Sequence, residues 1–232
     1  MSTAGLDLRG VARRFGRRWV LRGLDIQVEP GHVIAVTGRN GCGKTTLLRI
    51  CSTLLRPTRG GGTVFGYDLV QDANEIRELL GMLAHDAGLY PNLTAFENLE
   101  FSVRMAGLHT DRPALERALS EVGLSRERNE RVGGFSAGMR RRLALARLLL
   151  RPPKLLLLDE PYASFDVDGI DLVNDFAAAV AGTGGIVLIA THDLARAEPI
   201  MHREARIEGG RIIDQAGPER LGLVGVADGE AT

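Results

Sequence analysis

The sequence predicts an α/β fold built on a mostly parallel sheet, and three features of its 232 residues point to this class. Continuous apolar runs, typical of strands buried on both faces, occur at residues 33–37, 155–158 and 186–190. Segments with helical patterning separate the later runs, and alternation of strands and helices favours a parallel sheet covered by helices. A glycine-rich loop at residues 38–45 directly follows the first run.

Shorter signals predict further strands. Residues 24–28 alternate between apolar and other side chains, as in a strand with one buried face. Three consecutive glycines at 60–62 predict a turn that leads into a short strand at 63–65. The sequence Glu-Gly-Gly-Arg at 208–211 predicts a hairpin.

The helices are predicted mainly from their first residues. Asp72 with Glu75, and Thr94 with Glu97, have the spacing of a cap residue and its partner three positions later. Pro57 is expected to stop the helix that follows the glycine-rich loop. We expect helices at about 44–55, from 72, from 94, from 111, from 136, at 168–181 and from 193.

Composition excludes several classes of protein. Apolar residues make up 44% and charged residues 25%, as in an ordinary globular chain. Lys plus Arg equals Asp plus Glu at 29 each, so nothing indicates a nucleic-acid partner. The two cysteines, Cys42 and Cys51, form no disulfide framework and fit a reducing compartment. Neither a signal peptide nor an apolar run of about 20 residues is found, so we expect any membrane-spanning part to belong to another chain.

Residues 38–45 fit the phosphate-loop pattern G-x-x-x-x-G-K-[ST]. Glycines let the backbone N–H groups approach a triphosphate, and the following helix adds its positive dipole end. Lys44 is predicted to bind the β- and γ-phosphates, and the Thr45 hydroxyl to bind Mg²⁺. A chance glycine turn is the alternative, which the strand before the loop and the helix after it disfavour. The predicted nucleotide-binding residues of this loop are Gly38, Arg39, Asn40, Gly41, Cys42, Gly43, Lys44, Thr45 and Thr46.

A pair of acids, Asp159 and Glu160, ends the apolar run at 155–158. Strands of a parallel sheet end at the ligand crevice, so Asp159 is predicted to be the second Mg²⁺ ligand beside Thr45. Glu160 is the predicted general base that activates the attacking water. Acids often end apolar strands for no catalytic reason, and the phosphate loop upstream is what favours the functional interpretation.

Residues 135–139, Phe-Ser-Ala-Gly-Met, resemble the Leu-Ser-Gly-Gly-Gln signature of the ABC transporter ATPases, with Phe, Ala and Met as departures from it. The resemblance implies that Ser136, Ala137 and Gly138 bind the γ-phosphate of an ATP held by a second subunit. Taken alone, Ser136 is better explained as an ordinary helix cap before a basic helix.

Further matches follow in the order that the family has. Residues 163–166 resemble its D-loop, His192 its switch histidine, which reaches the γ-phosphate, and Phe15 its adenine-stacking aromatic residue. A lone His or Phe is more often structural, and the common order gives these two their weight. His85, followed by Asp86, stands where the family has a glutamine, and we include His85 among the nucleotide-binding residues.

The resemblance also implies an architecture. We expect an ABC-type P-loop NTPase core with a mostly parallel sheet, an N-terminal antiparallel β subdomain and an inserted α-helical subdomain at about 72–135. These parts form a single domain spanning 1–232, whose tail at about 217–232 is loose.

The function that the resemblance implies is binding and hydrolysis of Mg²⁺-ATP in a head-to-tail dimer with a second ATP-binding subunit. Such a dimer drives a multi-spanning membrane permease and lies peripherally on the cytoplasmic side of the inner membrane. The Ser-Ala-Gly signature, His85 and residues 93–99 most resemble the haem-exporter ATPases of cytochrome c maturation.

Three alternatives stay open. Other ABC-2-type exporters, for drugs, lipids or polysaccharides, share most of these features. ABC-type ATPases that act on DNA or the ribosome usually carry two cassettes or a long coiled coil, which this sequence lacks. A scaffold that binds ATP without hydrolysing it would not need Glu160 and His192. The sequence does not identify the cargo.

Overall fold

Two β-sheets organise the part of the chain that the computed structural model describes, residues 5–84, 88–109 and 111–214. The strands are β1 (Leu6–Phe15), β2 (Arg18–Val28), β3 (Val33–Thr37), β4 (Arg59–Val64), β5 (Tyr67–Asp68), β6 (Leu80–Leu83), β7 (Leu155–Asp159), β8 (Ile186–Ala190), β9 (Arg203–Glu208) and β10 (Arg211–Asp214). The helices are α1 (Lys44–Cys51), α2 (Ala73–Leu79), α3 (Ala95–Met105), α4 (Arg112–Glu121), α5 (Ala137–Leu149), α6 (Val167–Gly182) and α7 (Leu194–Ala197), with a 3-10 turn at Val132–Gly134.

The central six-stranded sheet has the order β10-β9-β3-β8-β7-β6. Its strands run parallel from β9 to β6, and β10 is antiparallel to β9. Every residue of β3, β7 and β8 is buried, which confirms the three apolar runs as strands covered on both faces. Because parallel strands end at one edge, the residues that follow β3 and β7 are brought together there.

The apolar core is divided by the central sheet into two layers. Successive side chains of a strand point to opposite faces, so Val33 and Ala35 join one layer while Ile34 and Val36 join the other. The first layer is completed by α3 to α6, and the second by α1 and the N-terminal sheet.

The N-terminal sheet is antiparallel with the order β2-β1-β4-β5, as the resemblance implies. Leu24, Ile26 and Val28 are buried, whereas Asp25 and Gln27 between them are exposed, which confirms the predicted alternation.

The glycines at 60–62 do not form the predicted turn but lie within β4. A Cβ on Gly62 would lie 2.1 Å from the Asp7 carbonyl oxygen, and one on Gly60 would lie 2.3 Å from that of Gly10. The glycines are therefore needed because the backbone of β1 approaches β4 closely, a tertiary constraint that local turn chemistry cannot indicate.

The inserted helical subdomain is narrower than the predicted 72–135. β6 pairs in parallel with β7, so it and the preceding α2 belong to the core of the fold. Beyond β6, α3 and α4 pack on each other and on α5. The predicted loose tail at 217–232 lies outside the described residues. Within the described ranges, no helix is both long and apolar enough to cross a membrane.

Helix starts are predicted well where the cap is local. Thr94 forms the predicted capping box with Glu97. The Thr94 Oγ1 accepts from the Glu97 N–H, and the Glu97 Oε2 accepts from the Thr94 N–H. Asp72 also stands at a helix start, but its carboxylate accepts from the N–H of Asp68 and makes no cap bond to α2. α1 ends at Cys51, four residues before the predicted end at 55.

Candidate active site

The loop between β3 and α1 is held in a shape that only glycine permits at two positions. Gly38 has φ +136°, and a Cβ there would lie 2.3 Å from the carbonyl oxygen of Ile207. Gly43 has φ +122°, and a Cβ there would lie 2.6 Å from Leu21 Cδ2. Gly43 is also the N-cap of α1. Because it has no side chain, no cap side chain accepts a hydrogen bond from the first N–H groups of the helix. This is the arrangement that a phosphate group requires.

Lys44 is the first residue of α1, and its side chain is buried with an exposed fraction of 6%. Its Nζ donates to the carbonyl oxygen of Gly38 at 2.9 Å and lies 3.5 Å from Glu160 Oε1. The ammonium group therefore joins the two ends of the site, the loop after β3 and the residue after β7.

Thr45 and Asp159 meet as the sequence predicts. The Thr45 hydroxyl donates to Asp159 Oδ1 at 3.0 Å. Burial raises the pKa of Asp159 above its ordinary value, an effect that the Thr45 hydrogen bond and the nearby Arg49 and Lys44 oppose. A hydroxyl and a carboxylate side by side form an oxygen donor set that suits Mg²⁺. The residues present thus fit a magnesium ion bound with a triphosphate.

Glu160 has a left-handed backbone conformation with φ +48°. Its N–H donates to the carbonyl oxygen of Ala190 at 2.7 Å, which aligns the residue with the end of β8. Its Oε1 faces Lys44, and its Oε2 lies 2.8 Å from His192 Nδ1. The two residues predicted to be catalytic, Glu160 and His192, are therefore in direct contact.

A cleft of about 380 Å³ opens beside these groups. It is lined by Arg18, Val20, Asn40, Gly41, Gly43, Lys44, Thr45, Thr46 and Glu160. Gly38, Arg39 and Cys42 belong to the loop but do not line the cleft, and Gly38 contributes through its carbonyl group to Lys44.

Two lining residues, Arg18 and Val20, were missed by the sequence reasoning. Both are on β2, which lies beside the loop: a Cβ on Gly43 would lie 3.4 Å from Val20 Cγ1. Phe15, the predicted adenine-stacking residue, pairs with Arg18 across the β1–β2 hairpin. Phe15 is 46% exposed, with the Arg13 guanidinium 4.8 Å from its ring centroid, and it does not line the cleft. The hairpin register places Arg18, and not Phe15, beside the loop, and the sequence alone does not indicate this.

The signature residues lie outside this cleft. Ser136 is the N-cap of α5, and its Oγ accepts from the Met139 N–H at 3.2 Å, so the cap interpretation is realised. Ser136 and Ala137 are exposed. Gly138 lies against the D-loop, where a Cβ on it would be 3.0 Å from the Ser164 carbonyl oxygen. Within one chain, these residues and the phosphate loop form two separate sites.

The D-loop at 163–166 is tied to the helices on both sides of it. Ser164 has φ +67°, and Asp166 caps α6 by accepting from the Gly169 N–H at 3.0 Å. Asp166 also accepts from Arg142 of α5 at 2.7 Å. His85 and Asp86, the residues at the glutamine position of the family, lie outside the described residues.

Comparisons with known proteins give matches in sequence and in fold. A family profile described as ABC transporter matches residues 21–163. The cytochrome c biogenesis ATP-binding export protein CcmA 2 of Cupriavidus metallidurans is 40% identical over 198 residues, which cover 85% of this chain and 94% of that protein. The aliphatic sulfonates import ATP-binding protein SsuB 2 of Pseudomonas aeruginosa is 38% identical over 209 residues, which cover 89% and 73%. A solved structure described as the ATP binding subunit of an ABC transporter matches with a TM-score of 0.83 at 26% identity, covering 96% of this chain and 95% of that one.

Replacing Lys44 by alanine tests the phosphate loop. Charge-assisted hydrogen bonds contribute roughly 1.5–3 kcal/mol each, so Lys44→Ala should weaken ATP binding about tenfold or more and abolish turnover. ATP affinity is measured by isothermal titration calorimetry. Lys154→Ala is the matched control, because Lys154 is the other lysine and is exposed. Equal ATP affinity in wild type and Lys44→Ala would reject this interpretation of the loop.

Proposed function

This chain belongs to the ABC transporter family as an ATP-binding subunit and is an ATP hydrolase, and from that premise we propose that two copies bind ATP head to tail and drive export through a separate membrane permease. The observation that supports the dimer is that the two sets of residues predicted to bind phosphate do not share a cleft. The first is the loop at 38–46 with Glu160, and the second is the exposed start of α5.

A two-fold axis between two copies would bring the cleft of one copy to the start of α5 of the other. In an isologous dimer, whatever one subunit presents to its partner, the partner presents in return. If the start of α5 covers the partner's cleft, both clefts are completed at once. Ser136 and the N–H groups of the first turn of α5 would then approach the γ-phosphate of the partner's ATP, where a helix start stabilises negative charge.

Within each cleft, the contacts suggest a distinct role for each residue. Lys44 would bind the β- and γ-phosphates. Thr45 and Asp159 would hold the Mg²⁺, which neutralises charge on those phosphates when bound. Glu160 would take the proton of the attacking water. Its two carboxylate oxygens face Lys44 and His192 respectively, so the carboxylate is oriented from both sides.

The permease is proposed to dock on the helical subdomain. A groove of about 390 Å³ is lined by residues of α3, of α5 and of the segment at 88–90. Exposed apolar side chains at its rim include Met105 and Tyr90, and Arg151 lies among its lining residues. A cytoplasmic helix of a permease with an apolar face and an acidic edge would fit this surface. Such docking would hold the subunit peripherally on the cytoplasmic side of the inner membrane.

Haem for cytochrome c biogenesis is the proposed cargo. The support is the 40% identity to an export protein of that process over nearly its whole length, together with the Ser-Ala-Gly signature. Identity alone does not separate cargoes, since a sulfonate import protein is 38% identical. Cargo contacts belong to the permease, so the cargo has to be tested in the cell.

Replacing Glu160 by glutamine tests the base. The amide keeps the shape of the side chain but loses the basic carboxylate, so hydrolysis should fall about 10²- to 10⁴-fold. ATP binding should be unchanged or tighter, because a negative charge near the γ-phosphate is removed. With Mg²⁺-ATP, the variant should elute as a dimer in size-exclusion chromatography, whereas wild type with ADP should elute as a monomer. Hydrolysis at the wild-type rate would exclude Glu160 as the base.

Mixing two inactive variants tests the head-to-tail arrangement. Lys44→Ala damages only the cleft, and Ser136→Ala only the signature, so a mixed dimer contains one intact composite site. We expect ATPase activity to reappear on mixing, measured by phosphate release. Asp111→Ala is the control, because Asp111 caps α4 in the same way, through the Ala114 N–H. Both cap losses should cost about 1 kcal/mol of stability.

Two results would contradict the composite site. Full turnover of Ser136→Ala by itself would mean that Ser136 is only a helix cap. Two inactive variants that stay inactive when mixed would mean that the signature serves the nucleotide of its own chain.

Deleting the gene in its host tests the cargo. We expect the c-type cytochromes to lose haem staining while their apoproteins are still made. Plasmid-borne wild type should restore them, and Lys44→Ala should not. Normal c-type cytochromes, together with new sensitivity to a drug or loss of a surface lipid, would assign the subunit to another exporter.

A further inference from the structure

Arg141 is a buried arginine that no role described above requires. It lies on α5, one and a half turns after Ser136, and has an exposed fraction of 6%. Its Nη1 donates to the main-chain carbonyl oxygens of Glu160 at 2.6 Å and of Pro161 at 3.1 Å. Burial lowers the pKa of Arg141, and the nearby Asp159 and Glu160 carboxyl groups oppose that effect. A buried charge is costly, so a guanidinium placed on two carbonyl groups calls for a reason.

The reason is found in the backbone of Glu160. A left-handed conformation at a non-glycine residue is energetically unfavourable and persists only where the surroundings enforce it. At Glu160, the N–H is held by the Ala190 carbonyl group of β8, and the C=O is held by Arg141 of α5. The peptide groups on both sides of its Cα are thereby fixed, and the carboxylate is directed between Lys44 and His192.

Neither neighbour of Arg141 can replace it. Arg140 donates to the Phe135 carbonyl group at the start of α5. Arg142 donates to the Val122 carbonyl group and to Asp166 of the D-loop. Of the three consecutive arginines, only the middle one reaches the residue that carries the proposed base.

We propose that Arg141 is a positioning residue for ATP hydrolysis, which holds Glu160 in its active conformation from the helix that begins at the signature. The inference rests on the proposed role of Glu160. Ser136 and Arg141 are about 7.5 Å apart along a rigid helix, at 1.5 Å per residue. A shift of the start of α5 on contact with the partner's nucleotide is therefore transmitted to the Glu160 carbonyl group. Closure of the dimer and orientation of the base are in this way one event.

The test compares Arg141→Met, Arg141→Gln and Arg141→Lys with wild type in steady-state ATPase assays. Misplacement of a catalytic group by about 1 Å can cost on the order of 10²-fold, so kcat of Arg141→Met should fall about ten- to a hundredfold. The KM for ATP should stay within about twofold, because the phosphate loop is untouched. Arg141→Lys should recover part of kcat, since an ammonium group still donates to a carbonyl group, and Arg141→Gln should lie between the two. Arg104→Met is the control, because Arg104 forms an exposed ion pair with Glu100 on α3.

A double-variant cycle separates positioning from simple stabilisation. In a Glu160→Gln background, adding Arg141→Met should lower the residual rate by less than about twofold, because Arg141 acts through the carboxylate that is already lost. Rates are expressed per ATP-binding-competent molecule, counted by isothermal titration calorimetry with ATP, so that a loss of folded protein does not count as a loss of kcat.

Two results would overturn the inference: an unchanged kcat in both Arg141→Met and Arg141→Gln, or the same fold-loss with and without the Glu160 carboxylate. Should Arg141→Met fail to fold, the same two criteria apply to Arg141→Gln and Arg141→Lys. A wild-type protein without ATPase activity would instead reject the proposed function and would be recognised before any variant is made.

Discussion

The site depends on the compensation of one buried positive charge, the ammonium group of Lys44. A buried ammonium group needs partners, and Lys44 finds them in the Gly38 carbonyl group and the Glu160 carboxylate. These partners follow two different strands, β3 and β7, so the loop and the acidic pair must stay together for the charge to be tolerated. The sheet order makes this possible, because β8 separates the two strands and all three end at the same edge. A bound triphosphate would replace Glu160 as the partner of Lys44 and leave the Glu160 carboxylate in contact with His192.

The helix α5 connects the two halves of the proposed mechanism. At its start it exposes Ser136, and one and a half turns later it holds the Glu160 backbone through Arg141. The next residue, Arg142, binds Asp166 of the D-loop. Contact at the signature, orientation of the base and the D-loop are thus joined by one rigid element. The Glu160 backbone is therefore already held within a single chain, before the proposed composite site forms.

Among the described residues, two of the four non-glycine residues with left-handed backbones, and three buried charged groups, lie where the chemistry is proposed to occur. Glu160 and Ser164 have left-handed backbones, and Asp159, Lys44 and Arg141 are buried polar groups. Each of these features lowers stability unless neighbouring residues compensate for it. Three hydrogen bonds provide this compensation. The carbonyl oxygens of Gly38, Ala190 and Glu160 accept from the Lys44 ammonium group, the Glu160 N–H and the Arg141 guanidinium group respectively.

The sequence by itself determined what depends on neighbours along the chain. The strands at 33–37, 155–158 and 186–190 are predicted because continuous apolar runs signal burial on both faces. The Thr94–Glu97 cap and the phosphate loop are predicted because their bonds or backbone shapes span only a few residues. Only the tertiary structure decided the rest. The glycines at 60–62 are required because the backbone of β1 approaches β4 closely. The position of Arg18 in the lining of the cleft depends on the hairpin register. The choice among three consecutive arginines depends on which face of α5 meets the end of β7. These outcomes are set by contacts between residues far apart in the chain. The meeting of Thr45 and Asp159 could be predicted because parallel strands end at one edge of a sheet, and no such general rule indicates the other contacts.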